Sequence, residues 1–289
     1  MNLKPSMKRV GEISLRVVES ESDQPNLVLL HGVTRRWQTF LPILCPLALR
    51  HRLLLVDFRG HGESDRATDG YRVTDYVDDI CRLIQQHVSG PVSLYGHSLG
   101  AMTVAGVASR LGDRVAAVIM EDPPLETMGN RISRTPLLSY FRGLSQFAGD
   151  DRNVAEIAAA LGDLSFQDPV SGDCFRVGDT RDAAQLRFGA ASLRLLDPSV
   201  FEPILNSQWL TGFDVDQVFG TLSCPSLLLQ ADYSSGGMLT EQDAEHVASL
   251  NSQIARVPLR GVGHGIHWTA TQDLLNVVLP FLESARGGN

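Results

Sequence analysis

The segment Val92-Ser93-Leu94-Tyr95-Gly96-His97-Ser98-Leu99-Gly100 decides how the rest of the chain is read. Val92–Tyr95 is a short apolar run of the kind that forms a buried strand, and Ala101–Leu111 behind it carries a helical pattern. A G-x-S-x-G sequence between strand and helix places the serine on a tight turn. Side chains at the two glycines would meet the neighbouring strand and helix, and the turn lifts the hydroxyl clear of the sheet. The start of a helix also favours negative charge that develops beside it. At average residue usage the five-residue pattern arises by chance in roughly one chain in ten of this length. The strand before it and the helix after it are therefore what give it meaning.

Working outward, Leu27–Leu30, Leu53–Val56, Val115–Met120, Leu227–Gln230 and the weaker Ile254–Pro258 are further short apolar runs ended by Gly, Asp or His. Strands buried on both faces have this form. Helix-like segments separate them: Phe40–Arg50, Val73–Val88, Glu241–Leu250 and Thr271–Ser284. The alternation predicts an α/β protein with a mostly parallel central sheet flanked by helices. Alternating stretches at Arg9–Val10 and Glu12–Val18 predict an antiparallel pair ahead of it. The alternation fails between Leu125 and Asp216, where no strand run is read and Leu137–Phe147, Val154–Leu161, Ala183–Leu196 and Pro198–Leu205 look helical. The expected division is a core from residues 1–124 and 217–289 with a helical lid inserted at 125–216, a block far longer than an ordinary loop.

A serine needs a base and an oxyanion site to act as a nucleophile. The best base is His264, in Gly261-Val262-Gly263-His264-Gly265 after the last strand; His267 is a competing base or a residue lining the pocket. His31-Gly32-Val33 follows the first parallel strand, so the backbone N–H groups of Val33 and Leu99 can form a two-donor oxyanion hole.

Four motifs in this order, His31-Gly32, Asp57-Phe58-Arg59-Gly60-His61-Gly62-Glu63-Ser64, Gly96-His97-Ser98-Leu99-Gly100 and Gly263-His264-Gly265, resemble the α/β-hydrolase fold family, in its lid-bearing, serine esterase- and lactonase-like branch. The resemblance spans nearly the whole chain and implies a Ser-His-acid triad. The acid departs from the commonest pattern. Most members carry it after the strand represented by Leu227–Gln230, where the expected position falls on Ser234. Some relatives carry it one strand earlier, where this chain has Glu121-Asp122-Pro123-Pro124. Asp122 is the preferred acid, with Asp232 and Glu121 as alternatives. The implied function is a cofactor-free serine hydrolase acting on a carboxylic ester or lactone through an acyl-enzyme. Amide or carbon–carbon bond cleavage, or perhydrolysis, on the same triad are the alternatives. A non-enzymatic receptor is the reading from another class.

Composition narrows the partners. The 289 residues carry 25 Lys+Arg against 33 Asp+Glu, a net charge of −8, with no basic stripe for nucleic acid. No apolar run is long enough for a membrane span, and Met1–Val10 lacks the apolar region of a signal peptide, so the expectation is a cytoplasmic protein with a small-molecule substrate. The four cysteines, Cys45, Cys81, Cys174 and Cys224, show no paired spacing; no metal site is expected, and they are read as reduced and mostly buried. Trp37, Phe141, Trp209 and His267 are candidates for the pocket wall. Arg35 and Arg36, which follow the oxyanion loop, have two readings: facing an acidic group of the substrate, or, the preferred one, a solvated pair at a loop.

Overall fold

Eight strands form one sheet in the computed structural model, which describes residues 2–167 and 171–285. They are β1 (Leu3–Val10), β2 (Ile13–Ser20), β3 (Asn26–Leu30), β4 (Arg52–Val56), β5 (Val92–His97), β6 (Val115–Glu121) and, beyond a long insertion, β9 (Ser226–Ala231) and β10 (Ile254–Leu259). Their spatial order is β1-β2-β4-β3-β5-β6-β9-β10, with antiparallel pairing only where β2 meets β1 and β4. The N-terminal pair is longer than its sequence signal because β1 is exposed along much of its length and alternates weakly.

Side chains alternate across a strand, so each apolar run feeds two cores. Leu27 and Leu29 of β3, Leu53 and Leu55 of β4, and Leu227 and Leu229 of β9 join one apolar cluster with α1 (Leu41–Ala48) and α12 (Thr271–Ser284). Val28, Leu30, Leu54, Val56 and Leu228 point to the other face, where α2 (Val73–His87), α3 (Leu99–Leu111) and α10 (Glu241–Leu250) cover them. Burial on both faces explains why these strands read as unbroken apolar runs.

Between β6 and β9 the chain forms α4 (Leu137–Ser145), α5 (Val154–Asp163), α6 (Val177–Thr180), α7 (Ala183–Arg194), α8 (Glu202–Leu205) and α9 (Val215–Gly220). Its buried residues, among them Phe141, Leu161, Leu193 and Phe201, merge with the α2–α3 core. A two-stranded hairpin, β7 (Ser165–Gln167) and β8 (Cys174–Arg176), corrects the expectation of no strand in this block. Three-residue strands, largely exposed, are too short to show a period-two pattern. Helix α9 crosses the expected limit at 216/217 and packs on α3 and α10. The cysteines are all free, but Cys45 and Cys174 are exposed, so the expectation of mostly buried thiols holds only for Cys81 and Cys224. Among the described residues no helix is long and apolar enough to cross a membrane.

Candidate active site

The parallel strands end along one edge of the sheet, and the loops leaving those ends carry the chemistry, as is general for open α/β sheets. At the end of β5 Ser98 caps α3 with φ 56° and ψ −114°, a conformation that non-glycine residues rarely hold. Its amide donates to Glu121 O and its carbonyl accepts from Met102, which fix the turn. The flanking glycines are obligatory. A Cβ on Gly96 would lie 2.1 Å from Gly100 O, and one on Gly100 would lie 1.9 Å from Leu30 O. Both obstacles are backbone and cannot rotate away.

Asp122, at the end of β6, is fully buried and also has positive φ, 45°. Its Oδ2 accepts from His264 Nδ1 at 2.6 Å and from Met238 N at 2.8 Å; Oδ1 accepts from Ala231 N and Leu239 N, both at 3.2 Å. Among the described residues Asp122 is the only one of the three candidate acids that reaches the His264 ring. That bond puts the proton on Nδ1 and leaves Nε2 as the basic nitrogen. Ser98 and His264 line the same cavity of about 580 Å³. No hydrogen bond joins them among the described residues, and such bonds are often long before substrate arrives.

The other two acids have different work. Asp232 is part-exposed at the end of β9 and accepts from Ser234 N and Oγ and from Gly261 N, tying its turn to the loop that carries His264. These bonds, that to the Ser234 side chain first, hold its carboxyl below the usual range. Glu121 is fully buried and accepts from His267 Nδ1 at 2.8 and 2.9 Å, from His267 N and from the Tyr95 hydroxyl. Burial pushes the Glu121 carboxyl up, but the facing His267 and the hydrogen bonds from His267 and Tyr95 outweigh it and hold it down at about 2. His267 Nε2 lies 2.9 Å from Thr39 Oγ1, which also accepts from Trp268 Nε1. His97 Nε2 donates to His264 O, and burial keeps this ring well below the usual histidine range and therefore neutral. A second His–carboxylate pair thus lies beneath the first, with His97 between them. The sequence reading missed this pair, because only the pleat shows that Glu121 and Asp122, adjacent in sequence, face opposite sides.

Val33 lines the cavity, and Leu99 opens α3 fully buried. Neither the Val33 nor the Leu99 N–H has an acceptor among the described residues, whereas the neighbouring amides of Thr34, Arg35 and Gly100 do. Two such orphan donors beside the serine are what an oxyanion hole requires.

Of the pocket candidates, Phe141 and His267 line the cavity. Trp37 and Trp209 do not, a correction to the sequence reading. Trp37 packs with the α1–α12 core, and Trp209 is buried where its carbonyl accepts from Val73 at the start of α2. Aromatic character announces burial but not which wall a ring faces. Arg35 departs from the preferred, solvated reading: it is part-buried and lines the cavity. Tyr140, Arg181 and Trp268 line it too. Arg36 is part-buried as well and lies over the Phe188 ring.

A parallel sheet wrapped by helices, with a serine on a strand-to-helix elbow and a carboxylate-bound histidine beside it, defines a class of α/β proteins. A profile described as the alpha/beta hydrolase family matches residues 27–277, and the chain belongs to that family. It is 39% identical over 120 residues to 2-(acetamidomethylene)succinate hydrolase of Mesorhizobium japonicum, covering 41% of this chain and 43% of the relative. It is 32% identical over 89 residues to (E)-2-((N-methylformamido)methylene)succinate hydrolase of Acinetobacter baylyi, covering 31% of this chain and 34% of that one. The alignments thus span less than half the length of either relative. In overall fold the chain is similar to the crystal structure of E-2-(acetamidomethylene)succinate hydrolase, with a TM-score of 0.75 at 22% identity over 98% of this chain and 100% of the other.

Proposed function

We propose that the protein is a serine hydrolase that cleaves a small acyl compound through an acyl-enzyme. Ser98 Oγ attacks the acyl carbonyl while His264 Nε2 takes its proton. The amides of Val33 and Leu99 hold the oxyanion, and His264 returns the proton to the leaving group. Water, activated by the same nitrogen, then clears the acyl group. Asp122 holds the imidazole in the required tautomer and stabilises its charged form. The observation that carries the reading is the 2.6 Å bond between Asp122 Oδ2 and His264 Nδ1 beside the cavity that His264 shares with Ser98. The inserted block acts as a lid: Leu137, Tyr140, Phe141, Leu144 and Phe188 give the cavity an apolar wall that excludes water from the acyl-enzyme.

Esters and lactones suit this machinery, since their leaving oxygen needs little protonation. A second reading, amide cleavage, is favoured by the names of the two relatives, both hydrolases of compounds with an amide nitrogen. A fluorophosphonate probe labels the wild type covalently, and Ser98→Ala abolishes the adduct. Folded wild type that resists labelling refutes the nucleophile assignment. Parallel turnover of a panel of esters, lactones and amides by wild type and Ser98→Ala then separates the two bond classes.

A further inference from the structure

The charge inside the cavity is opposite in sign to the charge of the protein. The chain as a whole carries −8, yet among the described residues no Asp or Glu side chain lines the cavity, while two guanidiniums, Arg35 and Arg181, do. One belongs to the core and the other to the insertion. Arg35 follows two residues after the oxyanion amide of Val33 and reaches across to α7, where a Cβ on Gly189 would lie 3.5 Å from its Nη1. Arg181 follows α6 in the insertion.

Neither has an anionic partner among the described residues. Arg35 makes no side-chain hydrogen bond or ion pair there; Arg181 donates from Nη2 to the neutral Tyr140 hydroxyl at 2.6 Å, with Cζ 5.8 Å from that ring's centroid. The acids nearest to Arg181 in sequence are engaged elsewhere. Asp179 faces Arg176 at 3.7 Å, and Asp182 accepts from Gln185 N to cap α7. Burial and the Arg181 charge lower Arg35 to about 10, which leaves it cationic at neutral pH. Two like charges share a part-buried space with no counter-ion among the described residues. Part-buried arginines without a partner are costly, and a planar fork of N–H donors is suited to a carboxylate.

We propose that the cavity binds a small carboxylate-bearing substrate, with the carboxylate clamped between Arg35 and Arg181 and the scissile acyl group directed to Ser98. The clamp rests on the hydrolase reading for its consequence but not for its binding. The anion bridges the core and the insertion, so substrate charge draws the apolar wall onto the site.

Binding and turnover are tested separately. In the Ser98→Ala protein, titration calorimetry at low ionic strength compares succinate with succinamide, a neutral counterpart of similar size. The expected result is a preference for succinate of about ten-fold or more, cut by about ten-fold in both Arg35→Gln and Arg181→Gln and partly restored in Arg181→Lys. With an active serine, the ratio of kcat/KM for 4-nitrophenyl hemisuccinate over 4-nitrophenyl butyrate is expected to fall by a similar factor in the same variants. Two outcomes overturn the clamp: no preference for succinate, or a preference untouched by both arginine substitutions in folded protein. Succinate preference in a protein that turns over neither ester and resists the fluorophosphonate refutes the hydrolase and leaves the clamp standing. Turnover of both esters with no arginine-dependent preference does the reverse.

Discussion

Asp122→Asn tests the triad most directly, because every acceptor position on the buried carboxylate is used. Oδ2 faces two donors, His264 Nδ1–H and Met238 N–H, and Oδ1 faces two more, Ala231 N–H and Leu239 N–H. An asparagine supplies one oxygen and one NH2, so one pair of donors must meet a donor. With the NH2 toward Ala231 and Leu239, two buried amides lose their acceptor at about 1–3 kcal/mol each. With the NH2 toward His264, one amide is lost and the imidazole can turn over its tautomer to accept. The second arrangement costs less, and it puts the proton on Nε2, where the serine needs a base. Fixing the wrong tautomer in a Ser-His-Asp triad lowers kcat about 10^4-fold, equivalent to roughly 5.5 kcal/mol of barrier. The second-order rate of fluorophosphonate labelling reads serine activation without knowledge of the substrate, and a thermal melt confirms folding. Asp122→Asn is expected to label about 10^4-fold more slowly than wild type, while Asp232→Asn stays within ten-fold of it. A folded Asp122→Asn protein that labels within ten-fold of wild type refutes the reasoning, all the more so if Asp232→Asn is the slow variant.

Other consequences concern the frame around the triad. Glu121→Gln leaves His267 without its carboxylate in a fully buried site and is expected to cost about 3–5 kcal/mol, read as a lowered Tm and a lowered urea midpoint. The Glu121 carboxyl titrates near 2 when folded against an ordinary 4.5. The unfolded state therefore takes up the proton first as pH falls. Its contribution, about 3 kcal/mol, is present above pH 4.5 and is lost between there and pH 2. Urea titrations across that window should show wild type losing more stability than Glu121→Gln. Gly100→Ala sets a methyl 1.9 Å from Leu30 O, and loss of more than about 4 kcal/mol or failure to accumulate folded protein is expected; a Tm near wild type contradicts the elbow geometry.

The sheet was legible because its strands are buried on both faces: Leu27–Leu30, Leu53–Val56 and Leu227–Gln230 stand out as apolar runs whatever surrounds them. The elbow was legible because backbone packing against Leu30 and Gly100 admits only glycine at two fixed offsets from Ser98. Residues whose proposed roles depend on their own backbone or an immediate neighbour, such as Ser98, Val33 and Leu99, could thus be placed from local pattern alone. The choice among acids could not. Asp122, Glu121 and Asp232 are all carboxylates at strand ends, and what distinguishes them is the direction of a pleat and the loops that close over it. The sheet turns Asp122 toward His264, 142 residues away, and Glu121 toward His267, 146 residues away. The same holds for the arginines. A guanidinium on a loop looks solvated in sequence, and only the packing of the insertion against the core shows that Arg35 and Arg181 share one cavity, with no acid lining it among the described residues. Sequence settles what each segment must become, since that depends on neighbours along the chain. Which side chains of separate segments meet depends on registry and packing across the sheet, and only the folded chain decides it.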